Sequence, residues 1–172
     1  PSRCKILTGN VERMGLRNVI TTCADAKKIA SVFGEVFDLV IVDAPCSGEG
    51  MFRKDENAQT EWSEENVIRC AQRQREILEE IKTTVKPGGL LLYSTCTFSL
   101  EENEKNVDWF LGENENFELI NVDEKVKEST ADGISFDGCK AENISRCRRF
   151  YPHIAKGEGQ FVALMKKTDG TG

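Results

Sequence analysis

FDLVIVDAPCSGEG, residues Phe37 to Gly50, runs apolar from Leu39 to Val42, ends in a carboxylate at Asp43 and breaks at once into a Pro, Ser and Gly loop. An unbroken apolar run of this length suits a parallel strand covered on both faces rather than a half-solvated one, which would alternate. Leu90 to Ser94 repeats the pattern and also ends in a loop, Thr95-Cys96-Thr97. Between the two, Ser63 is placed to cap a helix with Glu64 and Glu65 in its first turn. Its buried stripe is Val67, Ala71, Leu78, Ile81 and Val85, and Lys86-Pro87-Gly88-Gly89 stops it.

Upstream, Ile6, Leu7, Val11 and Met14 follow helical spacing, with Gly15 as a left-handed terminator. Asn18 to Cys23 then reads as a β-branched strand and Asp25 to Val32 as a short helix. Downstream, Ser99 with Glu102 forms a capping box for a helix to about Leu111, and Phe117–Val122 and Gln160–Lys166 are further strands. Alternating strands and helices argue for an α/β sheet with crossover helices. Val122 to Gly159 interrupts that rhythm and reads as a long polar excursion near a binding face. Residues 1–167 form one domain on this reading, and 168–172 begin a linker or tail.

The composition of the 172 residues, 39% hydrophobic and 30% charged, is that of one globular domain. No stretch approaches the roughly 18 consecutive apolar residues of a membrane span, and the start lacks the basic and apolar parts of a signal peptide, so a cytoplasmic protein is expected. Seven cysteines are an odd count with no C-x-x-C pair, which reads as reduced thiols. No metal site is expected, since His153 is the only histidine and only Cys147 is near it in sequence. The formal charge of -6 does not by itself announce a nucleic-acid binder. The local exceptions are Arg53-Lys54, the run Arg146, Arg148 and Arg149, and Lys166-Lys167, each of which reads more readily as solvated surface.

In open α/β sheets ligands sit beyond the carboxyl ends of strands. Asp43, Cys46 and Cys96 all stand there. An isolated cysteine is more often a small buried residue, yet each of these thiols follows a strand end amid Pro, Ser, Gly and Thr. Cys96 also lies three residues before the Ser99 cap, where a helix N-terminus favours a thiolate.

DAPCSGEGMFRKD (Asp43 to Asp55) and YSTCTFSLEENE (Tyr93 to Glu104) resemble the two signature motifs of the Sun-type RNA 5-methylcytosine methyltransferases. GEGMFRKD, together with RRFYPHIAKGEGQFVALMKK (Arg148 to Lys167), resembles the bacterial branch that modifies small-subunit ribosomal RNA, and the likeness runs from Ser2 to about Lys167. It implies a Rossmann-like, class I S-adenosylmethionine (SAM)-dependent methyltransferase fold, with SAM as cofactor and RNA as partner, ribosomal RNA first and transfer RNA second. It implies Cys96 as the nucleophile that adds to cytosine C6, Asp43 as the acid that hydrogen-bonds or protonates N3 and also touches the cofactor, and Cys46 as the group that assists release. Asp25 resembles the acid that accepts from the adenine amino group, although a helix N-cap explains it equally well. Pro45 and Gly48 would shape the loop around the base, or merely its turn, and Arg53 and Lys54 would hold a phosphate.

Against the family pattern, the Gly-rich cofactor loop and the first two strands are absent, so the fold is expected to be N-terminally truncated. That loss would split the sheet between Val19 and Val40, leave unpaired strand edges and make the chain inactive alone. More sequence is expected before Pro1. Three other readings stay open. They are a non-catalytic binding module with relic thiols, a thiol hydrolase using His153 as base, and an amino-group methyltransferase, which would carry a proline pair and an aromatic where Ala44-Pro45-Cys46 stands. The sequence is silent on oligomeric state.

Overall fold

The computed structural model describes residues 2–54, 60 and 62–168. The elements that carry the site are α1 (Ser2–Arg13), α2 (Ala26–Phe33), β1 (Phe37–Asp43), α3 (Glu64–Ile81), β2 (Val85–Thr95) and α4 (Glu104–Glu113). After them come β3 (Phe117–Leu119), α5 (Glu124–Glu128), β4 (Ala131–Asp132), β5 (Arg148–Phe150) and β6 (Gln160–Lys167). Among the described residues the strands form one sheet in the order β1-β2-β6-β5-β4, with β3 on β6. β1 and β2 are parallel, as a strand–helix–strand unit requires, and β6 runs antiparallel to β2.

The core lies between the sheet and α3 and α4. Leu78, Leu91, Tyr93, Phe110, Ala163 and Met165 have no exposed surface. Ser63 caps α3 as its sequence position requires, accepting from the Asn66 amide at 3.1 Å. The helix ends earlier than the Lys-Pro-Gly-Gly signal suggests, however. The Thr83 and Thr84 hydroxyls bond back to the carbonyls of Glu80 (3.1 Å) and Ile81 (2.7 Å), tightening the chain into a 3-10 turn. Val85 to Gly89 then enter β2 through a register shift against β1.

Three further expectations are corrected. β1 is covered on one face only: Val42 is buried with Tyr93 and Ala163, whereas Leu39 and Ile41 on the other face are 50% and 60% exposed. No described element covers that second face, so an apolar run did not guarantee two buried faces. Asn18–Cys23 is not a strand, because a strand needs a ladder partner; this segment instead lies against α1, with the Thr21 and Thr8 hydroxyls bonded at 2.8 Å. The Val122–Gly159 excursion contributes β4 and β5 to the sheet rather than standing apart from it. α1 and the Gly15 turn (φ 67°) form where expected, yet Ile6, Leu7 and Met14 are exposed. The tail residues 169–172 and the Asp55 end of the first motif lie outside the described residues. No described helix is long and apolar enough to cross a membrane.

Arg148 and Arg149, read from sequence as surface charge, are buried. Arg149 Nε donates to Glu104 Oε1 at 2.6 Å, and Arg148 pairs with Asp132 and donates to the Thr130 hydroxyl at 2.8 Å. Lys167 is likewise buried, its ammonium on Glu35 at 2.6 Å.

Candidate active site

The parallel register sets Asp43 opposite Ser94, so β1 and β2 finish side by side and their loops leave together. The Ala44 amide donates to Ser94 O at 2.9 Å and continues that pairing one step past the strand. Three residues beyond Asp43 and two beyond Ser94, the sulfurs of Cys46 and Cys96 stand 3.0 Å apart, both half-buried and both free thiols. The Cys96 amide also donates to the Cys46 sulfur at 3.2 Å.

The two thiols are unequal. Hydrogen bonding from Cys46 lowers Cys96 to about 7, against burial and the nearby Asp43 carboxylate, which both oppose its ionisation. Cys46 moves upward, through its bond to Cys96 and through burial. The pair therefore titrates as a unit in which Cys96 carries the first negative charge. Alkylation of Cys96 is expected to rise with pH through a midpoint near 7 and to flatten above it, as mass spectrometry of iodoacetamide-treated protein would show. A midpoint near the ordinary thiol value of 9.0 would contradict the pairing.

Both loops are held by consecutive buried residues at the entrance to α4. Glu102 accepts from the Ser47 amide at 3.1 Å, and Asn103 accepts from the Thr95 hydroxyl at 2.6 Å and donates to Thr97 O at 2.9 Å. Glu104 receives Arg149, whose Nη1 donates to Phe98 O at 3.0 Å. Thus the expected capping box is half formed: Ser99 Oγ accepts from the Glu102 amide at 3.3 Å, but the Glu102 carboxylate turns inward to the Cys46 loop and the helix starts at Glu104. Glu49 accepts from the Trp62 indole at 2.7 Å and from the Phe98 amide at 3.1 Å.

Gly48 adopts a left-handed φ of 78°, and Gly50 is pinned between loops, donating to Cys96 O at 2.9 Å and accepting from the Gly159 amide at 3.1 Å. A Cβ at Gly50 would lie 2.5 Å from Gly159 O and 2.9 Å from Cys96 O, all backbone. Gly50→Ala is expected to destabilise the protein by about 1–3 kcal/mol in denaturant unfolding.

Asp43 is exposed beside the thiols, and its carboxylate has no hydrogen-bond partner among the described residues. Pro45 is exposed, with its carbonyl accepting from Gln74 at 2.9 Å. Asp25 caps α2, accepting from the Lys28 amide at 2.8 Å, and no contact joins it to the thiol pair. Arg53 pairs with Glu158 at 3.6 Å and is otherwise exposed, as is Lys54. His153 stacks on Tyr151 at 5.4 Å, and Tyr151 on Phe98 at 5.5 Å. Among the described residues no three His, Cys, Asp or Glu side chains gather as metal ligands. Gln74, Glu49, Asn103 and the structural role of Glu102 escaped the sequence reading. Gln74 did leave a signal, a polar residue within the buried row Val67, Ala71, Gln74, Leu78.

A parallel β1-α3-β2 unit with an acid at the first strand end and its ligand edge at the carboxyl termini has the Rossmann-like class I methyltransferase fold. The crystal structure of PH0851 superposes with a TM-score of 0.83 at 35% identity, covering 96% of this chain and 35% of that one. NSun6 from Pyrococcus horikoshii, crystallised with SFG, gives a TM-score of 0.74 at 28% identity, with 96% and 39% covered. The model of the family described as 16S rRNA methyltransferase RsmB/F matches residues 1–166, and the chain belongs to that family. It is 37% identical over 174 residues to ribosomal RNA small subunit methyltransferase F of Vibrio vulnificus, covering 96% of this chain and 34% of that protein. The corresponding protein of Klebsiella pneumoniae is 36% identical over 168 residues, with 97% and 33% covered. The chain thus spans about a third of the length of these relatives.

Proposed function

We propose that this chain carries the nucleophile-bearing part of an enzyme that transfers a methyl group from SAM to C5 of a cytosine in small-subunit ribosomal RNA. The observation that carries this reading is the 3.0 Å thiol pair, with Cys96 the more acidic member and the exposed Asp43 carboxylate beside it. Cytosine C5 is a poor nucleophile until C6 is attacked, so a thiolate available near neutral pH is the group the chemistry needs. The Cys96 sulfur forms a bond to C6, the C5–C6 double-bond electrons move onto the ring, and Asp43 relieves the charge at N3. When bound, SAM supplies an electrophilic methyl group at a sulfonium centre. Asp43 and Asp25 fit that cofactor in charge and access: among the described residues Asp43 has no hydrogen-bond partner, and Asp25 commits one carboxylate oxygen to the Lys28 amide.

Once its sulfur is bonded to carbon, Cys96 no longer draws the proton of Cys46, and the main influence raising Cys46 is gone. Cys46 then gives up its proton to solvent and takes the C5 proton as base, the C5–H electron pair re-forms the C5–C6 double bond, and the C6–S bond breaks with its electrons to restore the Cys96 thiolate. Arg53 and Lys54 are exposed beyond this loop and suit a phosphate of the RNA backbone. Residues 1–167 serve as part of the catalytic domain, and with β1 at the edge of the sheet among the described residues the 172-residue chain alone is expected to be inactive, turnover belonging to the full-length protein.

The test is covalent trapping by the full-length protein with ribosomal RNA containing 5-fluorocytosine. The fluorine cannot leave as a proton does, so a stable protein–RNA adduct at Cys96 is expected in the presence of SAM. Folded protein that binds SAM and yields no adduct would refute the reading, and an adduct with transfer RNA alone would reassign the substrate.

A further inference from the structure

Two buried polar side chains stand behind the thiols. Cys46 lies between two peptide groups, and both are gripped from behind. The carbonyl before it, Pro45 O, accepts from Gln74 Nε2 at 2.9 Å, and the amide after it, Ser47 N, donates to Glu102 Oε2 at 3.1 Å. The two grips are themselves joined, since Gln74 Nε2 donates to Glu102 Oε2 at 2.7 Å. Because each peptide is planar, fixing both sets the backbone dihedrals of Cys46 and leaves its side-chain rotamer as the remaining freedom.

Gln74 cannot turn over to relax this arrangement. Its Oε1 accepts from Asn106 Nδ2 at 2.9 Å, with the single Tyr93 hydroxyl proton shared between it (2.9 Å) and Glu102 O (2.6 Å), and a flipped amide would set that oxygen against Pro45 O and Glu102 Oε2. Gln74 and Glu102 have no exposed surface. Burial pushes the Glu102 carboxyl upward, and its Oε1 is buried without a hydrogen-bond partner among the described residues. A carboxylate in such a place costs stability relative to an apolar side chain, and the cost calls for a role other than packing. Glu102 lies in sequence on the loop that follows Cys96, yet its contacts go to the loop of Cys46.

We propose that Glu102 and Gln74 are positioning residues for the thiol pair: together they clamp the Pro45–Ser47 turn and hold the Cys46 sulfur within hydrogen-bonding reach of Cys96. The groups that face Cys96 are Cys46, Asp43 and Glu102, and Glu49 in turn faces Glu102. Of these only Cys46 favours the Cys96 thiolate by hydrogen bonding, while the charge of Glu102 opposes it. Clamp and charge therefore act on Cys96 in opposite directions, and substitution separates them.

The experiment is the pH profile of Cys96 alkylation by iodoacetamide in the full-length protein. The proposal rests on the reading of Cys96 as nucleophile, but alkylation reports the thiol whether or not RNA is methylated, so the two fail separately. Glu102→Ala and Gln74→Ala are expected to raise the midpoint by about one pH unit or more. Alkylation at pH 7 should slow by about twofold or more, the higher nucleophilicity of a less acidic thiol offsetting part of the lost thiolate. Glu102→Gln keeps an oxygen that accepts from both Ser47 and Gln74 and removes the charge, so its midpoint should stay at the unsubstituted value or fall below it. Alanine variants with an unmoved or lowered midpoint would overturn the proposal, as would equal shifts in Glu102→Ala and Glu102→Gln. Should the alanine variants fail to fold, hydrogen exchange of the Ser47 amide in the unsubstituted protein decides: protection like that of the β2 amides is expected, and free exchange overturns the clamp.

Discussion

Cys96→Ser in the full-length protein should abolish the trapped adduct and lower methyl transfer by about 10⁴-fold or more, because the removed group is the one that bonds the ring. Cys46→Ala should behave differently. Without the hydrogen bond from Cys46, Cys96 loses its main lowering influence and attacks more slowly at pH 7, by about fivefold once nucleophilicity is counted. The later step should suffer far more, by about 10²–10⁴-fold, since the residue that takes the C5 proton is absent. The two unequal losses make a covalent complex with ordinary, unfluorinated RNA accumulate in Cys46→Ala and never in Cys96→Ser. Gel analysis of denatured protein–RNA mixtures reads both. Equal loss of adduct in the two variants would mean that the thiols share one role.

Arg149→Ala is expected to cost about 3–5 kcal/mol, because it leaves the Glu104 carboxylate buried and uncompensated. Neither partner has access to water worth the name, at 2% and 0% side-chain exposure, and Glu104 also accepts from the Ile134 amide at 2.9 Å. For a chain of this size the midpoint of thermal unfolding should fall by roughly 10 °C. The neighbouring pair supplies the contrast: Asp132, the partner of Arg148, is 70% exposed, so Asp132→Asn should cost about 1 kcal/mol or less. Arg149 also donates to Phe98 O, two residues past Cys96, so its loss should slow adduct formation in whatever folded fraction remains. Calorimetry of the full-length variants separates the cases, and a double replacement Arg149→Met with Glu104→Leu should recover much of the lost stability.

Much of this architecture could be read from local pattern, and the misreadings share one cause. Ser63, Asp25 and Gly15 announced helix ends because capping is settled within a few residues. Ser99-x-x-Glu102 announced a cap by the same rule and was half right: the hydroxyl caps, but the carboxylate had a better partner 55 residues away at Ser47. Arg148 and Arg149 looked like surface charge until β5 joined β6 and brought Glu104 and Asp132 against them. Asn18–Cys23 had strand composition but no ladder to join, and β1 had an apolar second face with no described element over it. In each case propensity was read correctly while the partner was invisible.

By itself the sequence determined that an aspartate closes one strand and that two cysteines stand just past strand ends, since an apolar run followed by Pro, Ser and Gly breaks locally whatever surrounds it. It also placed the helices between those strands. Only the tertiary structure decided that the two sulfurs meet at 3.0 Å, that the bond from Cys46 is what favours the Cys96 thiolate, and that Gln74 and Glu102 stand behind them. The reason is distance along the chain: Cys46 and Cys96 are 50 residues apart, and their meeting depends on the parallel register that sets Asp43 beside Ser94. A thiol's acidity sums charges, hydrogen bonds and burial through space, and none of these exists until that register is set.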